Sequence, residues 1–378
     1  MPQRVVRVCG MTDVGQLREH NEDAFLVANL ETGTAVDVGT PCTLDTPRHG
    51  LLFLVADGMG GAASGELASS MAGECVLLAL QAHWRALAEP TPEAFAAALR
   101  DATLAANRRI HGFAQAHAEH QGMGTTATVA GLLDDTLYIA QVGDSRAYLL
   151  RGGHAIQITK DQSLMQRLIE AGEITPQQAA QSEHRNIILQ ALGPEPTISV
   201  DLTHQRVHEG DLLLLCSDGL SGVLDLEEME QIAAAAADLD QLCEALIAAA
   251  NAHGGPDNIT VIAARILAGS ADQGHAEHTV SYRTYPLAGT LYHPAPVASL
   301  PTEEIPAVRP TPSASVALPD DRPEPPASSP AVAPVAPPLG APPAVVDARR
   351  RALRPLQLVL GALALLALAW LVIDLRGR

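Results

Sequence analysis

A chain of 378 residues is long enough for one large domain with appendages, and a formal net charge of −19 excludes the nucleic-acid backbone as a natural partner. The five cysteines, Cys9, Cys42, Cys75, Cys216 and Cys243, are odd in number and show no C-x-x-C spacing. That excludes a zinc ribbon or a disulfide scaffold and suits reduced thiols in a cytosolic compartment, while MPQRVVRVCGMTD at the start holds too short an apolar stretch for a secretory signal.

Taken in order, Arg4 to Cys9 reads as a strand and Thr12 to Asp23 as a polar loop dense in ionisable groups. A second strand covers Ala24 to Asn29, followed by an ill-defined insertion to Pro47. Leu51 to Ala56 is a continuous apolar run, the pattern of a strand covered on both faces. From Ala62 to Gln121 the chain is Ala-rich with helical spacing. Pro90, Thr91 and Pro92 divide it, Thr91 restarting the second helix as N-cap with Pro92 in its first turn. Strands are predicted over Gly124–Leu133, Thr136–Gly143, Ser145–Arg151 and His154–Thr159, with tight turns at Asp134, Asp135 and at Gly152, Gly153. Ser163 to Gln181 is predicted helical and its continuation to Gly193 an irregular excursion. Ile198–Val207 and Asp211–Ser217 return to strand, then helices over Leu226–Ala236 and Leu239–Ala252 lead to a last strand, Asn258–Ile266. Strands, two helices, strands, two helices, strand: this order suits two packed sheets with helix pairs outside, an α+β fold.

Beyond residue 267 the composition shifts. Residues 268–348 are rich in Pro, Ala and Ser without a sustained apolar period, as expected of a disordered linker. A basic cluster follows at 349–355 (Arg349, Arg350, Arg351, Arg354). The run 356–373, LQLVLGALALLALAWLVI, has Gln357 as its one polar member and is long enough to cross a bilayer, with Trp370 near one end. The positive-inside rule then puts residues 1–267 in the cytoplasm, tethered to the inner membrane, and leaves 374–378 as a short tail beyond it.

The chemistry is concentrated at strand ends. Asp57 is the first charge after Leu51 to Ala56 and is followed by Gly58, Gly60 and Gly61, which permit a sharp turn and close approach of a ligand. A carboxylate at the mouth of a buried strand is costly unless a cation neutralises it. The arrangement recurs: Asp144 follows Leu137 to Gly143, Asp218 follows Leu212 to Ser217, and Asp257 with Asn258 precedes Ile259 to Ala264. Oxygen ligands gathered at strand ends are what hard divalent cations such as Mg²⁺ or Mn²⁺ require.

The motifs D-x-G-x-x-R-x-x-N-E-D (Asp13 to Asp23), V-A-D-G-M-G-G (Val55 to Gly61), G-T-T-A (Gly124 to Ala127), V-G-D-S-R-A-Y (Val142 to Tyr148), S-D-G-L (Ser217 to Leu220) and G-P-D-N (Gly255 to Asn258) together resemble the bacterial PPM family of metal-dependent serine/threonine protein phosphatases. The resemblance covers residues 4 to 266, in the family's order. It implies a four-layer α-β-β-α sandwich with a two-metal centre between the sheets. Asp57 then matches the carboxylate bridging both metals, with the Gly58 carbonyl on the second, and Asp218 and Asp257 completing the first. Glu22 and Asp23 match residues that hold metal-bound water, and Asp144 with Asp218 matches a third, weaker site. Arg18 matches the arginine that clamps the substrate phosphate. Where many eukaryotic relatives have a histidine after the Asp-Gly pair, this chain has Met59, and the excursion around residues 159–193 occupies the place of the bacterial flap.

The activity so implied is hydrolysis of phosphoserine and phosphothreonine on proteins, with two Mn²⁺ or Mg²⁺ per site supplying a bridging hydroxide, in opposition to a bacterial Ser/Thr kinase. No protein nucleophile is needed, and Ser145 and Ser217 read as turn residues supporting the centre. The competing expectations are a catalytically silent phosphoprotein-binding module and a membrane scaffold acting through the Pro-rich segment. Intact Asp57, Asp218, Asp257 and Arg18 count against the first.

Overall fold

The computed structural model describes residues 4–87, 90–268 and 279–287. The strands are β1 (Val5–Asp13), β2 (Asp23–Asn29), β3 (Thr34–Ala35), β4 (Cys42–Asp45), β5 (Leu51–Met59), β6 (Gly124–Thr125), β7 (Ala127–Leu133), β8 (Thr136–Val142), β9 (Arg146–Arg151), β10 (His154–Gln157), β11 (Asp201–Arg206), β12 (Leu212–Cys216) and β13 (Ile259–Ala268). The helices are α1 (Ala62–His83), α2 (Pro92–Ala116), α3 (Leu164–Glu170), α4 (Pro176–Ala180), α5 (Asp218–Ser221), α6 (Leu226–Ala235) and α7 (Leu239–Ala252).

Two antiparallel sheets result. One runs β10-β9-β12-β13-β1-β4; the other runs β11-β8-β7-β5-β2-β3, with β6 paired to the end of β5. The side-chain period of two explains why these strands read as unbroken apolar runs. In β5, Leu52, Leu54 and Ala56 face a cluster built with Met71, Leu80, Trp84 and Phe95 of the helical region, while Leu51, Phe53 and Val55 face the other sheet. In β13 the same split sends Ile262, Ala264 and Ile266 between the sheets, and Val261 and Ala263 toward Leu242 and Leu246 of α7. Three apolar seams therefore separate four layers: α1 and α2, sheet, sheet, α6 and α7. Each fully buried Leu, Ile or Phe in those seams contributes roughly 1.5–3 kcal/mol relative to exposure.

Local signals set the helix ends. Thr91 caps α2, its Oγ1 accepting from the Ala94 N–H at 3.2 Å, with Pro92 inside the first turn as expected. The excursion departs from the single helix expected over 163–181. Gly172, at φ 71, ends α3, and Thr175 opens α4 with a reciprocal capping box to Gln178. The insertion before Pro47 is ordered too, as β3 and β4 on the two sheets.

A larger correction concerns the segment expected to be linker from residue 268. Residues 279–287 lie along β11, with the His204 N–H donating to the Arg283 carbonyl at 3.0 Å and the Tyr285 N–H to the Leu202 carbonyl at 2.7 Å. Val280 is buried in the seam between the sheets, Tyr285 packs edge-on to Tyr138 at 5.4 Å, and the Tyr282 hydroxyl donates to Asp201 at 2.6 Å. The physical reason is composition at short range: Val280, Tyr282 and Tyr285 suit a half-buried strand edge inside a Pro/Ala-rich stretch. The rest of 268–348, the basic cluster 349–355, the apolar run 356–373 and the tail 374–378 lie outside the described residues. Among the described residues no helix is long and apolar enough to cross a membrane.

Candidate metal centre

The strand-end aspartates meet at one edge of the sandwich, between the sheets. Asp57 near the end of β5 stands directly opposite Asp23 at the start of β2. Asp144 follows β8, Asp218 opens α5 after β12, and Asp257 precedes β13, so both sheets contribute. Asp57 is held through its backbone: its N–H donates to Thr126 Oγ1 at 2.9 Å, and its carbonyl accepts from Thr125 Oγ1 at 2.9 Å and from the Thr126 N–H at 2.9 Å. Thr126 Oγ1 also shares a 2.7 Å hydrogen bond with Ser145 Oγ. Ser217 Oγ donates to Asp23 Oδ2 at 2.6 Å. The two serines thus support the carboxylates rather than act as nucleophiles.

Gly58 is sterically obligatory. An added Cβ would collide with the carbonyl oxygens of Gly65 and Glu22, because the start of α1 and the Glu22 turn close on the strand there. The Gly58 N–H donates to the Glu22 carbonyl at 3.1 Å, and the Glu22 N–H donates to Asn258 Oδ1 at 2.8 Å. Asn258 is a keystone that the sequence did not single out: its Nδ2 also donates to the Val14 and His20 carbonyls, each at 2.9 Å. Its place beside Asp257 in G-P-D-N was visible in the sequence, but not the hydrogen bonds that give it this role. Arg146 was missed as well. It forms a bidentate pair with Asp161, Nε to Oδ1 at 3.0 Å and Nη2 to Oδ2 at 2.7 Å, and its charge bears on Asp144 and Asp218.

The electrostatics call for cations. Burial, and then the neighbouring Asp23, Asp218, Asp144 and Asp257 carboxylates, push the Asp57 carboxyl well above its usual range. Burial raises Asp23 to about 8 and Asp144 to about 7, with Asp218 adding repulsion to both. Asp218 is raised by burial and by Asp257. One buried oxygen on each of Asp23, Asp144 and Asp218 has no hydrogen-bond donor among the described residues. Acceptor-only carboxylates facing one another in a desolvated edge fit divalent metal. Among the described residues no three His, Cys, Asp or Glu side chains gather as a ready-made cage. Asp57, Asp218 and Asp257, the three carboxylates expected on the first ion, therefore line one cleft without forming a closed cage, and water would complete the sphere of a bound cation.

Arg18 lies at the same edge, where its Nη2 donates to Asp257 Oδ2 at 2.7 Å, the guanidinium side chain being 49% exposed. Arg18, Glu22, Asp57, Gly58, Asp218 and Asp257 line one cleft of about 680 Å³. Asp23 and Asp144 are buried and do not line it.

The chain is similar to known proteins over this whole unit. Residues 40–256 match the family described as protein phosphatase 2C. The serine/threonine phosphatase stp of Listeria monocytogenes is 36% identical over 251 residues, taking in 66% of this chain and 92% of that protein. The Mycobacterium tuberculosis serine/threonine phosphatase PstP/Ppp superposes with a TM-score of 0.58 at 34% identity, covering 70% of this chain and 100% of that one. The catalytic domain of PstP in complex with two manganese ions superposes with a TM-score of 0.57 at 33% identity, with the same coverage. Sequence, fold and the carboxylate edge agree: the chain belongs to the protein phosphatase 2C family, the metal-dependent serine/threonine phosphatases.

Proposed function

We propose that this chain hydrolyses phosphoserine and phosphothreonine monoesters on proteins at the carboxylate cleft, with Mn²⁺ or Mg²⁺. The observation that carries the reading is the convergence of Asp57, Asp218 and Asp257 from both sheets on a cleft that also presents Arg18, with a buried Asp218 oxygen that no donor among the described residues satisfies. Asp57, Asp218, Asp257 and the Gly58 carbonyl would hold two cations, Asp144 with Asp218 a third, and Glu22 and Asp23 would orient water around them. Such cations acidify water and neutralise phosphoryl oxygens. Arg18 supplies two parallel N–H donors to the remaining phosphoryl oxygens, in a geometry lysine lacks. Its half-exposed pair with Asp257 is a weak one to give up. Met59 lines the cleft and carries no transferable proton.

The test is phosphate release from a phosphothreonine peptide with Mn²⁺, Mg²⁺ or chelator, for the parent protein and for Asp57→Asn and Asp218→Asn. Metal-dependent turnover lost in both variants is expected. A folded parent protein that binds the peptide and turns it over with neither metal would instead be a phosphoprotein-binding module.

The domain's place in the cell rests on sequence alone. The basic cluster 349–355 and the apolar run 356–373 support a single-pass inner-membrane tether with the phosphatase unit in the cytoplasm, where a membrane-bound Ser/Thr kinase and its substrates would be its counterparts. Fractionation of the full chain against one lacking 349–378 tests this; equal recovery from the soluble fraction would remove the tether.

A further inference from the structure

The cleft does not stop at its carboxylate floor. It is also lined by the returning limb of the excursion, where Ile187, Ile188, Leu189, Ala191, Pro194 and Ile198 border the same space as Arg18 and Asp57. Ile187 and Leu189 are 41% and 47% exposed, large apolar side chains left facing water beside a catalytic edge. They cannot retreat by collapse of the loop, because its backbone is pinned on both sides. The Leu164 N–H donates to the Ile187 carbonyl at 2.9 Å, and the Leu189 N–H to the Gln162 carbonyl at 2.7 Å. Further along, Leu192 and Thr125 exchange main-chain hydrogen bonds at 2.8 and 3.0 Å, and the Gly193 N–H donates to Asn107 Oδ1 at 2.8 Å. A fixed apolar wall continuous with a polar reaction floor is the form of a specificity pocket.

We propose that Ile187 and Leu189, with Ile198 behind them, form a subsite for an apolar side chain within two residues of the phosphorylated one. The inference rests on the phosphatase reading. Arg18 and this wall line one cleft of about 680 Å³, and an extended substrate advances about 3.3–3.6 Å per residue, so the wall lies in the space that the near neighbours of a phosphoresidue held at Arg18 occupy. The electrostatics select in the same direction. Arg18, committed to the phosphate, is the one cation among the described residues lining the cleft, and Glu195 adds a negative charge on the apolar side. At the apolar wall an acidic flanking residue therefore meets no side-chain counter-charge and incurs an unfavourable desolvation, whereas an aliphatic one covers surface that is otherwise wet.

The experiment uses the full chain with Mn²⁺, p-nitrophenyl phosphate as a substrate without flanking residues, and phosphothreonine peptides carrying Leu or Asp at each of the two positions on either side. The expected result is a kcat/KM at least about tenfold higher for Leu than for Asp at one or more positions, the size of effect a hydrophobic pocket supplies. In the double variant Ile187→Ser, Leu189→Ser that ratio falls toward one. Leu189→Lys inverts it in favour of Asp, a gain that misfolding cannot produce. Hydrolysis of p-nitrophenyl phosphate without peptide preference, or a preference untouched by these variants, overturns the subsite and leaves the phosphatase standing. No turnover of any substrate by the parent protein overturns both.

Discussion

At Asp57 the backbone contacts decide how well a carboxylate can serve. Thr126→Val keeps the shape but leaves the Asp57 N–H without its acceptor and removes the bond to Ser145. Supporting groups of this kind are worth 10–100-fold in metal affinity. Mn²⁺ titration of the variant by calorimetry is expected to show a loss of about that size; an unchanged affinity would make Thr126 merely a packing residue. Gly58→Ala, forced against two carbonyl oxygens, is expected to cost about 1–3 kcal/mol in chemical denaturation. The carboxylates also set a pH dependence. Asp23 and Asp144 stand at about 8 and about 7 in the fold, far above the ordinary aspartate value of about 3.9. An acid whose folded pKa is raised stabilises the fold below its unfolded pKa and loses that contribution as pH climbs through the folded one. In chelator, the melting temperature should therefore fall between pH 5 and pH 8, and saturating Mn²⁺ should flatten the fall. A chelated protein that grows more stable over that interval would contradict the charge crowding. Asp57, Asp144, Asp218 and Asp257 were legible in the sequence because each borders an apolar run. Asn258, Thr126 and Arg146 were not, since their importance lies in hydrogen bonds to residues remote in sequence.

Elements built from a clear period were read nearly to their ends, and those defined by tertiary contact were not. The split of Leu51 to Ala56 between two seams is implicit in a run with no polar position, and Pro92 fixes the start of α2 whatever surrounds it. The excursion is different. Its polar sequence holds only short α3 and α4, and its returning limb has no regular structure of its own, so what fixes it is the hydrogen bonding to Gln162, Leu164, Thr125 and Asn107. Asn107 is buried in α2; its Oδ1 accepts from the Gly193 N–H and its Nδ2 donates to the Glu195 and Pro196 carbonyls at 3.0 and 3.3 Å. Asn107→Ala removes those bonds and strands buried backbone groups, at a cost of about 1–3 kcal/mol. Amide exchange in residues 187–196 should accelerate in that variant while the β5 core stays protected. Uniform acceleration across the domain would mean that Asn107 serves global stability and not the limb.

For the whole molecule, the point at which the folded unit ends is the feature composition concealed. A stretch averaged as Pro- and Ala-rich hides the few residues, Val280, Tyr282 and Tyr285, that β11 recruits. A protein cut after residue 268 loses a buried valine and an aromatic contact, about 2–4 kcal/mol, and uncovers the β11 edge. Compared with a protein ending at residue 287, it is expected to unfold at lower denaturant concentration and to self-associate in sedimentation; coincident unfolding curves would show the segment to be an ornament.

Tyr282 touches the excursion at both of its feet. It bonds Asp201, where β11 takes up the chain again, and its ring lies 4.8 Å beneath the ammonium of Lys160, where the excursion departs. Mechanical tension on the chain beyond Leu287 is consequently borne by this staple and by the peeling of two main-chain hydrogen bonds, not by β13 and the aspartate that precedes it. Load arriving from that side would be felt at the wall of the cleft before it was felt at the floor.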